Sequence, residues 1–138
     1  MKPTSCLPAA DFIQRARGDD LTIVYLGQVG FLLQKNEVRI VIDPYLTDSV
    51  DRLEGFPKDF WVRNYPPPVH PGELTGIDLV LCTHEHLDHT DPETLCAIAA
   101  ASAHCQFAGP ATSVATMKMA GIEANRVTTL DVGTPFEF

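Results

Sequence analysis

Apolar residues along the first third of the chain gather in short β-rich runs separated by turn formers. The stretch "LTIVYLG" from Leu21 is the first, and "GFLLQKNEVRIVIDPYL" continues as strand, a turn at Lys35 and Asn36, and strand again, ending at Asp43 and Pro44. Together they predict a three-stranded meander. Gly27 and Gly30 in "LGQVG" mark a tight strand connection: no GxGxxG is present and no helical pattern follows, so a nucleotide-binding loop is not indicated.

The period is lost over residues 51–74, "DRLEGFPKDFWVRNYPPPVHPGEL". A long irregular segment inside a compact domain is usually a functional loop or a poorly ordered one. Its Trp61, Tyr65 and His70 either pin the loop to the core or meet a substrate, and Arg52, Lys58 and Arg63 are the cations an anionic substrate would find there.

After Gly76, "IDLVLC" is a continuously apolar run of the kind buried on both faces of a sheet. Asp91, Pro92 and Glu93 then read as N-cap, first-turn proline and first-turn acid of a helix through "TLCAIAAA", with Leu95, Ile98 and Ala99 on one face. The alternation repeats with "CQFAG" as strand, "PATSVATMKMAG" as helix with Gly121 as its stop, and "RVTTLDVG" as strand, while "TPFEF" looks like the middle of a further strand. Alternating strands and helices predict an α/β architecture, a mixed sheet with helices packed on it.

Composition narrows the picture. At 138 residues, with 45% hydrophobic and 20% charged residues, the chain is one soluble globular domain spanning 1–138. A net charge of −8 with thinly spread Lys and Arg argues against a nucleic-acid surface. No run is long and apolar enough for a membrane span, and "MKPTSCLPAADF" lacks the apolar core of a signal peptide, so a cytoplasmic protein is expected. Cys6, Cys82, Cys96 and Cys105 form no CxxC pair and read as buried thiols, with Cys82 the only one near candidate chemistry.

The chemistry is concentrated in "CTHEHLDHTD", which places three of the five histidines within six positions, with an aspartate before the third. A solvated turn has no reason to crowd imidazoles, whereas neutral imidazole and carboxylate are ligands for Zn, Mn or Fe. In an extended loop His84 and His86 point the same way and can chelate one ion. Asp88 and His89, where the chain turns toward the helix, can aim at a neighbouring ion, and Leu87 is expected to point into the core. All four candidate ligands should converge at the carboxyl end of the "IDLVLC" strand, with residues 51–71 either lying beside them or mobile.

"THEHLDH" resembles the H-x-H-x-D-H signature of the metallo-β-lactamase superfamily, and "VYLGQVGFLL" and "VIDPYLTDSV" are similar to the opening meander of its L-ascorbate-6-phosphate lactonase-like branch. His86 stands where flavin-linked diiron reductases of the superfamily carry glutamate, which favours the hydrolytic branch. The resemblance implies an αββα sandwich, of which this chain would be the N-terminal half. It also implies one or two divalent metals (Zn, Mn or Fe) held by His84, His86, Asp88 and His89. Hydroxide generated at the metals would attack a lactone or related ester-like carbonyl of a small molecule, and Asp88 would hold or relay the proton. The later histidine, bridging aspartate and last histidine of that superfamily have no counterparts here, since His104 reads as a surface residue and Asp131 as a turn residue. A chain of this extent is therefore expected either to pair as a homodimer or to need a missing C-terminal half. The competing functions are a non-catalytic half-domain serving binding or assembly, and a nucleic-acid-processing member of the same superfamily.

Overall fold

The computed structural model describes residues 19–57 and 60–138; the expectations for Cys6, Lys58 and the opening "MKPTSCLPAADF" lie outside the described residues. Six strands form one mixed sheet: β1 (Thr22–Gly27), β2 (Gly30–Lys35), β3 (Val38–Ile42), β4 (Leu79–Leu81), β5 (Gln106–Gly109) and β6 (Val127–Thr129). They lie side by side in chain order. The first three pair antiparallel as the expected meander, and β3 to β6 run parallel. Helix α1 (Pro92–Ala101) crosses from β4 to β5, and α2 (Ala111–Met119) from β5 to β6. This is the mixed α/β architecture the alternation implied.

Local chemistry sets the turns. The β2–β3 hairpin closes on Asn36 and Glu37, one residue later than expected, because Asn36 accepts the left-handed conformation (φ 53°) that the tight reversal needs. At the β1–β2 connection Gly27 has φ 91°, and a Cβ there would stand 2.9 Å from the Tyr65 ring. Glycine is thus required both for the turn and for the approach of the long loop. Asp91 caps α1 by accepting from the Glu93 and Thr94 amides, with Pro92 in the first turn, as its residue types indicated.

Both helices pack on one face of the sheet. Leu95 and Ile98 of α1 and Val114 and Met117 of α2 join Leu26, Leu32, Val41, Val80 and Phe107 in a single buried cluster. The opposite face carries two cross-strand rows fixed by register: Ile23, Leu33, Ile40 and Leu79, and Tyr25, Phe31, Ile42 and Leu81. Ile23, Tyr25 and Phe31 in these rows are exposed. The described residues thus form a two-layered unit, helices on sheet, with one apolar sheet face open at β1 and β2.

Two expectations at the C-terminal end are corrected. The strand read from "RVTTLDVG" is confined to Val127–Thr129, because a turn closed by the Thr134 amide on the Asp131 carbonyl follows it. Residues 134–138 are irregular and not part of a strand. Asp131 is a turn residue, and His104 is exposed ahead of β5.

Candidate metal centre

Strand β4 ends at Leu81, and Cys82 carries its hydrogen-bond ladder one step further by donating to the Ala108 carbonyl. The chain then turns through residues 83–90 into α1. The turn is built by the His89 and Thr90 amides, which both donate to the His86 carbonyl at 2.9 and 2.8 Å. The buried Thr90 hydroxyl donates to the His84 carbonyl at 2.6 Å and meets Ser113 Oγ of α2 at 3.0 Å. The ligand-bearing loop is therefore fastened to the sheet at one end and to both helices at the other.

On this support the three imidazoles converge. His84 Nε2 lies 3.0 Å from His86 Nδ1, and the His84 and His89 rings are 3.8 Å apart between centroids. His89 Nε2 is 3.9 Å from Asp88 Oδ1. The two expected pairs, His84 with His86 and Asp88 with His89, thus share one edge of the sheet at the carboxyl end of β4.

Asp43 organises the group, and sequence reasoning passed it over as the end of a strand. It sits just after β3 in the left-handed region (φ 45°) and is buried. Its carboxylate accepts from the Thr83 amide and hydroxyl, both at 2.7 Å, and from His89 Nδ1 at 2.9 Å. Because the Thr83 hydroxyl spends its proton on Asp43, its 3.0 Å contact with His84 Nδ1 requires that nitrogen to be the donor. His84 and His89 are then both fixed in the tautomer whose Nε2 carries the lone pair, and that of His84 accepts from His86 Nδ1. That is the outer hydrogen-bond arrangement that orients metal-binding histidines. The Asp-Pro dipeptide at the end of an apolar strand was the available signal: a carboxylate about to be buried needs partners.

The donor set fits a divalent ion of the Zn, Mn or Fe kind, though only in part. Two nitrogens each about 2.0–2.1 Å from one ion at a tetrahedral angle stand roughly 3.3 Å apart, close to the His84–His86 spacing. However, among the described residues no group of three or more His, Cys, Asp or Glu side chains is gathered closely enough to hold an ion unaided.

Tyr45, Val50, Leu53, Phe56, Trp61 and Arg63 face this edge across a cavity of about 450 Å³. Val50, Leu53, Phe56 and Trp61 line it from one side, and Gln28, His86, Leu87 and Asp88 from the other. Leu87 is half-buried in this wall and is absent from the core cluster, contrary to expectation, because the turn closed on the His86 carbonyl aims it outward. Of the expected cations, Arg52 is taken up by Glu93 (2.6 Å) and Asp48 (3.1 Å). Arg63 lies 4.6 Å over the Tyr45 ring and donates to the Tyr45 and Thr47 carbonyls. Tyr65 meets the Tyr25 hydroxyl at 2.9 Å, and this bond lowers its pKa while raising that of Tyr25. His70 caps the short 3-10 turn Pro71–Glu73 and takes no part in the site.

Among the described cysteines, burial pushes the thiols of Cys82 and Cys105 up to about 12 and raises that of Cys96 as well, so all three are inert. No described helix is long and apolar enough to cross a membrane.

Comparison with known proteins bears on the family of the chain. The pattern of the Beta-lactamase superfamily domain matches residues 22–136. An uncharacterized protein of Mycobacterium tuberculosis is 28% identical over 131 residues, 94% of this chain and 34% of that protein. A metal-dependent hydrolase of Aeropyrum pernix is 33% identical over 67 residues, 49% of this chain and 21% of its own length. An N-acyl-phosphatidylethanolamine-hydrolyzing phospholipase D of Caenorhabditis elegans is 30% identical over 141 aligned positions, covering 99% of this chain and 37% of the relative. The chain spans about a third of the length of the mycobacterial and nematode relatives.

Proposed function

We propose that this chain, which belongs to the beta-lactamase superfamily, carries the first ligand-bearing segment of a metal-dependent hydrolase acting on a small lactone or related ester-like molecule, in the manner of the L-ascorbate-6-phosphate lactonase-like branch. One observation supports it above the others: His84 Nε2 stands 3.0 Å from His86 Nδ1, with Asp88 and His89 alongside, at the open end of a buried strand.

In this reading His84 and His86 hold one ion through ring nitrogens, and Asp88 and His89 a neighbouring one. A divalent metal bound there would supply Lewis acidity and a water acidified toward neutral pH. The protein's own contributions are more specific. Asp43 and Thr83 keep the His84 and His89 Nδ1 protons in place, so that neither ring must reorient to bind. Gln28 Nε2, 3.5 Å from Asp88 Oδ2, steadies the carboxylate positioned to hold a proton as a leaving oxygen departs. Leu53, Phe56 and Trp61 cover the approach and limit water on that side.

A catalytic zinc usually takes three protein ligands, so each position needs a donor beyond the pair supplied here. It would come from a C-terminal portion or from a second copy of the chain, and the open sheet face is where either would rest. The acidic charge of −8 leaves the nucleic-acid-processing reading without support.

The test is hydrolysis of simple γ- and δ-lactones by the purified chain with Zn or Mn added or chelated. Slow turnover that requires metal and disappears in Asp88→Asn is expected. Turnover that survives chelation or Asp88→Asn, or an absence of turnover together with an absence of zinc binding, would overturn the reading.

A further inference from the structure

The cavity beside His86 is built from two unlike walls. Gln28, His86 and Asp88 present polar groups, whereas Leu53, Phe56 and Trp61 present hydrocarbon and are 43%, 50% and 45% exposed. Phe56 and Trp61 meet edge to face at 5.5 Å, and Phe60 packs on both, at 5.9 Å from Phe56 and 4.6 Å from Trp61. Three aromatic rings that pack mainly on one another, half open to solvent, form the kind of apolar surface that monomeric proteins keep for a ligand. Its volume, about 450 Å³, falls in the roughly 300–1,000 Å³ range of small-molecule sites, which are mostly apolar with a few polar groups at one side.

Charge narrows the ligand further. Arg63 lines the same cavity, and among the described residues no carboxylate pairs with it: its Nη1 is spent on two carbonyls, and its Nη2 is buried without a partner. Arg52, by contrast, is neutralised by Asp48 and Glu93. Among the described residues the cavity is thus lined by one cation without an ion-pair partner, Arg63, next to hydrocarbon, and by one carboxylate, Asp88.

From these features we infer that the cavity is the subsite for the apolar body of an anionic amphiphile. In terms of the hydrolase reading, on which this substrate class rests, the substrate is a lactone or ester that bears an alkyl or acyl chain and a negative group. Its chain lies on Leu53, Phe56 and Trp61, its negative group is drawn to Arg63, and its hydrolysable carbonyl reaches His86 and Asp88. A compact, fully hydroxylated sugar derivative would leave the aromatic wall wet, so the likeness to the lactonase-like branch extends to the reaction and not to the body of the substrate.

Trp61 is the only tryptophan in the sequence, so its emission reports the subsite directly. The 138-residue chain is titrated with straight-chain carboxylates from hexanoate to decanoate, below micelle-forming concentrations, and with octanol and glucose 6-phosphate for comparison. The inference expects saturable changes whose Kd falls by roughly fourfold for each added methylene until the cavity is full. Octanoate should bind more tightly than octanol, and glucose 6-phosphate should leave the emission unchanged. Leu53→Asp, at an exposed position, should weaken octanoate at least tenfold, and Arg63→Lys should retain the preference for the anion over the alcohol. A response that does not saturate, is independent of chain length or persists in Leu53→Asp would overturn the inference. Zinc binding is measured on the same samples by equilibrium dialysis. Chain-length dependence without bound zinc would preserve the subsite and defeat the hydrolase reading; bound zinc without chain-length dependence would do the reverse.

Discussion

Asp43 Oδ2 and His89 Nδ1 are 2.9 Å apart, joining the end of the third strand to the last histidine of the ligand loop. The same carboxylate takes the amide and hydroxyl of Thr83, whose hydroxyl in turn receives the His84 Nδ1 proton. One buried acid thereby sets the orientation of two rings that it never joins on an ion. Asp43→Asn keeps a residue that tolerates the left-handed backbone at this position but loses the carboxylate. It should lower zinc affinity by about 10–100-fold while leaving the circular dichroism spectrum unchanged. Competition with a chromogenic chelator measures this, and undiminished affinity would show that Asp43 only builds the turn.

Asp91 joins the site to the core. Its buried carboxylate accepts from the Glu93 and Thr94 amides and from the Thr94 and Thr47 hydroxyls, the last at 2.7 Å. Asp91→Ala removes the helix cap and also strands two hydroxyls, so a loss of about 2 kcal/mol is expected, at the upper end of the range for caps. Urea denaturation reads this as a lower midpoint at unchanged slope. A change of a few tenths of a kcal/mol would place the anchoring of the loop elsewhere.

Alkaline pH should expose the buried thiols. Burial pushes Cys82 and Cys105 up to about 12. In the unfolded chain a thiol ionises near pH 8.5. With the folded pKa raised, their contribution is complete below about pH 8.5 and is lost as pH rises toward 12, where the unfolded state alone has released its protons. Melting temperature should therefore fall between pH 9 and 11, and fall less steeply in Cys105→Ala. Parallel declines in the two proteins would contradict the assignment.

The apolar sheet face makes a prediction about association. Ile23, Tyr25 and Phe31 are exposed there, and each large apolar side chain left in water forfeits roughly 1.5–3 kcal/mol. The isolated 138-residue chain should form dimers in multi-angle light scattering, and Ile23→Lys with Phe31→Lys should shift it to monomer. A wild-type monomer at all concentrations would rule out a second copy on this face.

What the sequence disclosed, and what it hid, divides along the range of the interactions. The meander, both helices and the placement of His84, His86, Asp88 and His89 at one sheet edge follow from local pattern: apolar runs, a cap with proline, and ligand spacing after a buried strand; among the described residues, however, no three such side chains gather on one point. Asp43 escaped because its partners Thr83 and His89 lie 40 and 46 residues away, and the Asp-Pro dipeptide signals that it needs partners without saying which. Leu87 was misplaced because alternation along an extended loop fails once two amides close a turn on the His86 carbonyl. The cavity was only half legible. Aromatics in residues 51–74 could be noticed, but their position opposite His86 depends on Gly27 yielding room to Tyr65 and on Arg63 reaching the Tyr45 and Thr47 carbonyls.

The central claim is that His84 and His86 are ligands of one metal ion. X-ray absorption spectroscopy of the zinc-loaded chain, compared with the His84→Ala, His86→Ala double variant, tests it most directly. The account predicts imidazole nitrogen scattering at about 2.0–2.1 Å in the wild type, with at least two imidazoles per zinc at that position and their signal lost in the variant. Zinc that binds equally well to both proteins with the same imidazole signal, or that fails to bind the wild type, would contradict it.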